Sequence, residues 1–270
     1  MDINKKHILL VAGNSIAVIA TIIVNALAVI LPLNGKSTNE LSDAIPNLFV
    51  PAGITFSIWG VIYIFLVVFM LYQILGMGKK QQADMNYLEK IGGWFILASL
   101  ANILWIFLWH YEYVTFSLLT MLLLFISLLM IYLKLNIGLS TVSIREKMAV
   151  HTTISIYLGW ITVATIANVT AVLVKLDVGE LVLGQVNWTI LVIAVVTLIT
   201  ILMILRRKDI AYSLVIIWAL LGIIIKRLAD DPIYGVQTNI AITATIAILI
   251  IAGVLIAKII PTLYKKRTTS

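Results

Sequence analysis

Charged residues and cysteine are both scarce in this sequence. The chain of 270 residues has no cysteine, and 11% of its residues are charged against 62% that are hydrophobic. Without thiols the chain can form no disulfide, carry no lipid on a cysteine and offer no thiolate to a metal. A soluble domain of this length would carry about a quarter charged residues. The composition therefore excludes a soluble globular protein and indicates a polytopic membrane protein.

Charge-free stretches mark where the chain crosses the membrane. All but one hold the roughly 20 apolar residues that a transmembrane helix needs. The eight stretches are 8–35, 44–78, 91–111, 113–133, 148–174, 181–205, 210–225 and 232–257. The exception is 210–225, which must include Leu228 and Ala229 to cross. Its neighbours Lys226 and Arg227 would then extend their charged ends to the membrane surface. We predict an all-α bundle of about eight transmembrane helices.

Lysine and arginine are unevenly divided between the two sides of this predicted bundle. With the N-terminus inside and the loops assigned alternately, 15 basic residues lie inside and 4 outside. The positive-inside rule then places both termini in the cytoplasm, as expected of a multi-pass protein of the cell membrane. The net charge of +7 is explained by attraction to anionic lipid of the bilayer. We therefore predict no nucleic-acid partner.

The longest polar segment on the outer side is residues 32–51. It combines turn-forming residues with the apolar tripeptide Leu48-Phe49-Val50. A long loop with its own hydrophobic residues is more typical of a lid than of a solvated tether, although both interpretations fit its length. We expect this loop to cover the bundle beneath it.

Three of the predicted helices carry aromatic and amide side chains along one face. Residues three, four and seven positions apart lie on the same side of a helix. The aligned residues are Phe56, Trp59 and Tyr63 in the second helix, Asn102, Trp105 and Trp109 in the third, and Tyr157, Trp160, Ala164 and Asn168 in the fifth. The predicted orientation places all three stripes in the outer half of the bundle, beneath the long loop.

Two interpretations of these stripes are open. Aromatic walls with a few polar groups are typical of a pocket for a flat, largely apolar molecule. Tryptophan and tyrosine also form belts at membrane surfaces, and asparagine also joins helices to one another. Trp59 and Trp160 lie deeper than a belt, which favours a pocket or interhelical packing. Trp105 and Trp109 fit a belt or a pocket equally well.

The sequence offers little for catalysis or for ion-coupled transport. None of the three histidines has a neighbour at metal-ligand spacing. His110 and Glu112 lie near the mouth of the predicted pocket, where we expect them to be solvated. The charge-free stretches contain no Asp or Glu that could relay protons. We therefore expect no enzyme and no cofactor, while uncoupled movement of a lipophilic molecule stays open.

The three stripes resemble the motifs of the tryptophan-rich sensory protein family, also called TspO/MBR or translocator proteins. The resemblance covers about residues 8–175. It is carried by Pro51-Ala52-Gly53-Ile54-Thr55-Phe56 with Trp59 and Tyr63, by Ala101-Asn102-Ile103-Leu104-Trp105, and by Tyr157-Leu158-Gly159-Trp160 with Ala164, Thr165 and Asn168. Ile54 and Ile156 stand where the family motifs have Trp and Pro. No Tyr follows Asn168 as the family's sterol motif would require.

The resemblance implies a five-helix bundle at residues 1–175, with a pocket that the loop between the first two helices covers. Residues 176–270 would then supply three additional transmembrane helices, giving an extended form of the family. Carried over by position, the residues that would line or support the pocket are Trp59, Asn102, Trp105, Tyr157, Trp160, Ala164 and Asn168, and we predict that all ten aligned residues belong to the ligand site. Its ligand would be a small hydrophobic molecule, such as a porphyrin or another tetrapyrrole, bound for sensing or translocation. Slow breakdown of porphyrins is the enzymatic alternative that some bacterial relatives suggest.

Overall fold

The regular structure of this protein is helical throughout the part of the chain that is described. The computed structural model describes residues 3–31, 33–78, 85–176, 178, 184–231 and 233–267. The helices are α1 (Ile3–Ile30), α2 (Thr38–Ala44), α3 (Ile58–Gly76), α4 (Asn86–Ile91), α5 (Trp94–His110), α6 (Val114–Lys134), α7 (Ile144–Glu146), α8 (Thr152–Lys175), α9 (Gly184–Arg207), α10 (Ile210–Leu228) and α11 (Thr238–Arg267). A 3₁₀ helix, Gly53–Ser57, leads into α3, and a π-helical turn, Lys147–His151, leads into α8.

The predicted all-α membrane bundle is confirmed. Among the described residues, seven helices are long and apolar enough to cross a membrane. The remaining predicted span, 91–111, corresponds to α5, an apolar helix of 17 residues. Four features of the sequence prediction lie outside the described residues, namely Pro32 of the lid, Lys79 and Lys80 of an inner loop, and the starts of spans 181–205 and 232–257.

The first five spanning helices form a closed group. We call the end of the bundle that holds residues 33–51 the outer end, and the opposite end, where α1 begins, the inner end. Helix α1 packs on α3 and α5, α5 packs on α6, and α6 packs on α8, which returns to α3. Helix α8 is the most buried of the long spanning helices, because α10 covers its remaining side. Helices α9 and α11 pack on α10 and on each other.

Buried amides tie α1 to its neighbours inside the apolar bundle. The Asn14 side-chain Nδ2 donates to Gln73 Oε1 of α3 at 2.8 Å. Closer to the outer end of α1, Asn25 Nδ2 donates to Asn102 Oδ1 of α5 at 2.7 Å. Polar side chains within hydrocarbon need such partners, since no water is there to satisfy them. These pairs therefore set the position of α1 against the group.

A buried carboxylate joins α10 to the first five spanning helices at the inner end. Asp209 caps α10 and accepts hydrogen bonds at Oδ2 from the Tyr132 hydroxyl at 2.9 Å and the Ser155 hydroxyl at 2.6 Å. Its other oxygen, Oδ1, accepts from the Tyr212 backbone N–H at 3.1 Å. We call these four residues the inner contact. They connect α6, α8 and α10 through a single fully hydrogen-bonded group.

The outer end of α10 differs from its sequence prediction. We expected Lys226 and Arg227 to extend to the membrane surface, and for Arg227 this was wrong, because its side chain is 1% exposed. Asp231, one turn further along, lies 3.5 Å from Arg227 Nη2 and offsets part of the cost of burying the guanidinium. Lys226 instead forms an ion pair with Asp43 of α2.

Candidate functional site

A chamber lies at the outer end, where the three stripes meet beneath residues 33–51. Phe56 comes from the 3₁₀ helix that leads into α3 and Trp59 from the start of α3, two tryptophans come from the end of α5, and α8 supplies the opposite wall. Seven of the ten predicted residues line it, namely Phe56, Trp59, Trp105, Trp109, Trp160, Ala164 and Asn168. The predicted convergence of the stripes at the outer end is thus what the structure shows.

Trp160 occupies the centre of the aromatic wall. Its ring meets Phe56 edge-on with the centroids 5.7 Å apart, and it meets Trp59 edge-on at 6.4 Å. Across the chamber Trp105 and Trp109 are stacked, with centroids 5.7 Å apart. Edge-to-face and stacked pairs at these distances are favourable, so each ring stabilises its neighbour. The chamber is therefore bounded by flat, mutually supported aromatic surfaces.

The polar groups of the wall are unequally satisfied. The Trp105 Nε1–H donates to Asn168 Oδ1 at 3.0 Å, and Asn168 Nδ2 donates to the Ser117 hydroxyl at 3.2 Å. Trp105 is thereby fixed by α8 and α6. The Trp160 Nε1–H is buried, yet it has no hydrogen-bond partner among the described residues. An unmet buried donor costs stability, and this one lies in the wall of a void.

Three of the predicted residues do not line the chamber and lie behind its walls. Tyr63 stacks on Trp59 with the ring centroids 5.7 Å apart, and Tyr157 meets Trp59 edge-on at 6.1 Å. Asn102 is fully buried and accepts from Asn25 of α1. Helical periodicity identified their common face correctly. It does not separate a residue in the wall from one that supports it from behind.

Residues 33–51 cover the chamber. The tripeptide Leu48, Phe49 and Val50 is buried, with 1–3% of each residue exposed, which excludes a solvated tether. The loop contains helix α2, which Ser37 and Glu40 begin with a capping box. Loop residues that line the chamber, and that the sequence analysis did not identify as lining it, are Thr38, Ser42, Ile45, Asn47, Val50 and Pro51. The capping box was the one signal that could have predicted an ordered element here.

Polar contacts hold this lid to the bundle. His110 is buried, so our expectation that it is solvated was wrong. Its Nδ1 lies 2.7 Å from the Ile106 carbonyl, which can only accept, so Nδ1 carries the proton. Nε2 is then free to accept from the Thr38 hydroxyl of α2, at 3.3 Å. On the other side of the chamber, Asn47 Nδ2 donates to the Thr170 hydroxyl of α8 at 2.6 Å.

A second cavity adjoins the chamber, and we call it the vestibule. Both cavities are lined by Ile45 and Trp109. The chamber encloses a void of about 50 Å³ and the vestibule one of about 240 Å³. Among the described residues, two lysines, Lys36 and Lys175, and one carboxylate, Glu112, lie in the vestibule wall. These described residues give the vestibule an excess of positive charge.

Glu112 is held by both lysines. Lys36 Nζ lies 2.7 Å from Glu112 Oε1, and Lys175 Nζ donates to the Glu112 backbone carbonyl at 3.2 Å. The hydrogen bond and charge of Lys36 lower the pKa of the Glu112 carboxyl. The carboxylate consequently stays ionised at neutral pH and neutralises one of the two cations.

Comparison with known families identifies the group to which these features belong. A model of the TSPO-like protein family matches residues 9–257, which is most of the chain. The chain belongs to the TSPO-like protein family. The match begins in α1 and ends in α11, so this TSPO-like protein contains α9, α10 and α11 within the matched region. No curated protein and no solved structure matches the chain.

Proposed function

We propose that this TSPO-like protein binds a small, flat, hydrophobic molecule of the tetrapyrrole class in the chamber, for sensing or translocation. The observation that carries the proposal is the wall itself. Four tryptophans, Trp59, Trp105, Trp109 and Trp160, surround a void under a lid. Packing between the helices alone would favour filling that void, because cavities in a bundle forfeit contacts. A flat aromatic ligand would restore those contacts.

The polar features of the site support a ligand with a charged edge. The unpaired Trp160 Nε1–H would donate to an acceptor on the bound molecule. The excess positive charge in the vestibule would favour carboxylates that remain near the aqueous surface. Tetrapyrroles such as protoporphyrin combine a flat apolar body with carboxylates on one edge. Other flat amphipathic acids that are too small to reach both cavities would bind less tightly.

Entry of such a ligand requires the lid to move. Drug-sized ligands occupy pockets of about 300–1,000 Å³, and the chamber void of about 50 Å³ is far below that range. The lid is attached through a few polar contacts, among them those of Thr38 and Asn47. Opening these contacts would merge the chamber with the vestibule, since Ile45 and Trp109 separate the two. We therefore propose a closed state here and an open state for loading.

The proposal extends to the setting of the protein. We propose that it resides in the cell membrane with both termini in the cytoplasm, so that the chamber faces the outer leaflet. The unequal distribution of basic residues supports this orientation. We propose a binding protein and not an enzyme, because the chamber wall is made of aromatic, aliphatic and neutral polar side chains.

Quenching of intrinsic tryptophan fluorescence tests the proposal. Detergent-purified protein would be titrated with protoporphyrin IX alongside the Trp59→Leu/Trp160→Leu double variant. We expect saturable quenching of the unmodified protein and affinity at least about tenfold weaker in the double variant, since two of the aromatic surfaces are lost. Absence of saturable quenching in the unmodified protein would overturn the proposal.

A matched control removes two tryptophans that do not line the chamber. Trp94, beside Lys134 near the inner end, and Trp188, in the first turns of α9, are replaced by leucine. This control variant keeps five of the seven tryptophans, as the chamber variant does. We expect it to bind protoporphyrin IX with unchanged affinity. Equal losses in both variants would mean that binding does not occur in the chamber.

A further inference from the structure

Helix α10 contacts the backbone that forms one wall of the chamber. We call residues 50–57, which include the last two residues of the lid and lead into α3, the strap. The Ala52 backbone N–H of the strap donates to the Gly222 carbonyl of α10 at 3.0 Å. The Trp218 Nε1–H, also of α10, donates to the Thr55 carbonyl at 2.9 Å. Two backbone groups of the strap are thus hydrogen-bonded to a helix outside the first five spanning helices.

The strap and α10 approach each other as closely as glycine permits. A Cβ placed on Gly222 would lie 1.9 Å from Thr55 Oγ1 and 2.9 Å from Pro51 Cβ. No real side chain tolerates these distances, so any larger residue at this position would displace the strap. Glycine within a helix costs about 1 kcal/mol relative to alanine. Its presence at this buried position is explained by the close contact.

Displacement of the strap would reach the chamber directly. Val50, Pro51 and Phe56 of the strap line it, and the Phe56 ring packs against Trp160. The same helix also reaches the lid, because Lys226 forms an ion pair with Asp43 of α2. One face of α10 therefore holds both the strap and the lid helix.

We propose that α10 positions the chamber, with Gly222 and Trp218 as positioning residues that fix the strap. This role rests on the proposed function, because positioning the chamber affects binding only if the chamber binds a ligand. In this proposal α10, which lies beyond residue 175, sets the shape and the opening of a site built by the first five spanning helices and the lid. Loosening the α10 contacts would let the strap and lid open more often.

Cysteine labelling measures this opening without any ligand. The chain contains no cysteine, so Val50→Cys introduces a single thiol into the strap, at a residue that is 3% exposed. Its rate of reaction with a maleimide reports how often the strap opens. We expect Gly222→Ala and Trp218→Phe each to raise this rate about tenfold, since both weaken local contacts and not the whole fold.

Two controls separate positioning from general destabilisation. Gly253→Ala makes the same change in α11, at a position with open space around the new Cβ, and should leave the rate unchanged. A second reporter, Ser127→Cys, places the thiol at a fully buried position of α6. If the α10 variants raise the rates at both reporters equally, or at neither, the positioning role is overturned. If Gly222→Ala does not fold, the labelling rates of Trp218→Phe test the positioning role.

Ligand binding is measured separately, on the cysteine-free protein. We expect Gly222→Ala and Trp218→Phe to weaken binding of protoporphyrin IX several-fold, and Gly253→Ala to have no effect. A faster rate at Val50→Cys in a protein that binds no porphyrin would uphold the positioning role and overturn the proposed function. Normal porphyrin binding with unchanged labelling rates would uphold the proposed function and overturn the positioning role.

Discussion

The inner contact and the chamber are two places where polar side chains are buried in this protein, and they differ in how fully those side chains are satisfied. At the inner contact, the Asp209 carboxylate accepts from Tyr132, Ser155 and the Tyr212 backbone. At the chamber, the Trp160 indole N–H has no partner among the described residues and lies in the wall of a void. One region provides partners for its buried polar groups, and the other leaves an indole N–H without a partner among the described residues.

This difference separates stability from function. A buried carboxylate with several charge-assisted hydrogen bonds is costly to disrupt, because removal of one member leaves the others unpaired. A void beside an unpaired donor lowers stability, and a ligand that fills it would recover the loss. We therefore expect changes at the inner contact to affect unfolding and changes at the chamber to affect binding.

The largest effect is expected from Asp209→Ala. The substitution leaves the Tyr132 and Ser155 hydroxyls without their acceptor and removes the cap of α10. The combined loss should lower the free energy of unfolding by about 3 kcal/mol or more. Thermal unfolding in detergent would measure it. Asp230→Ala, at an exposed residue after α10, is the matched control and should unfold like the unmodified protein.

Asn168→Leu is expected to affect both properties, because this residue lines the chamber and also joins three helices. Without the amide, the Trp105 Nε1–H loses its acceptor and Ser117 loses a donor. We expect a loss of about 2 kcal/mol in stability together with weaker porphyrin binding, since Trp105 is no longer fixed. Asn239→Leu, at an exposed position of α11, controls for added hydrophobicity. A change in only one of the two measurements would contradict the shared role.

Trp160→Phe tests the unpaired donor more narrowly. Phenylalanine retains an aromatic ring beside Phe56 and Trp59 but has no N–H. Because that N–H has no partner among the residues that the structure describes, its loss should cost no hydrogen bond in folding. We expect porphyrin affinity to fall about tenfold, which corresponds to one hydrogen bond of roughly 1.4 kcal/mol. Unchanged affinity, with Trp188→Phe as the reference, would show that the indole N–H does not contact the ligand.

The smallest effect is expected from Glu112→Gln in the vestibule. The change removes the negative charge beside Lys36 and leaves the contact between Lys175 and the Glu112 backbone carbonyl in place, so an anionic ligand should bind two- to threefold more tightly at low salt, an effect of about 0.5 kcal/mol. In about 1 M salt, where screening acts within roughly 3 Å, the gain should vanish. Octaethylporphyrin, which has no carboxylates, is the control ligand. An equal gain for both porphyrins would rule out recognition of the carboxylates.

The direction of the Glu112 pKa shift determines how the stability that the Lys36–Glu112 pair contributes depends on pH. Because Lys36 lowers the pKa of Glu112, the folded state favours the ionised carboxylate. This contribution to stability is present above the ordinary glutamate pKa of about 4.3 and is lost as pH falls through the lower value in the folded protein. The unfolding temperatures of the unmodified protein and Glu112→Gln should therefore converge only below about pH 4. A difference that disappears near neutral pH would contradict this assignment.

The sequence was most informative where helical periodicity and hydrophobicity act together. The spans and the stripes of α3, α5 and α8 follow from local patterns, so their common direction could be predicted. Asp209 and Trp218 could not be assigned, because their partners lie 77 and 163 residues away in the chain. The burial of Arg227 was missed for a different reason, since its partner Asp231 is only four residues away but its burial depends on the path of the chain after α10. Long-range pairing of single side chains leaves no periodic signal.

The most direct test of the account compares binding and unfolding in the same samples. The affinity for protoporphyrin IX and the unfolding temperature would be measured for the unmodified protein, Trp160→Phe and Ser155→Ala. We expect Trp160→Phe to lose about tenfold in affinity with a small change in unfolding temperature, because an aromatic ring is retained beside Phe56 and Trp59. Ser155→Ala should unfold at a lower temperature and bind as tightly as the unmodified protein. Affinity and unfolding temperature that fall together in both variants would contradict the division between chamber and inner contact.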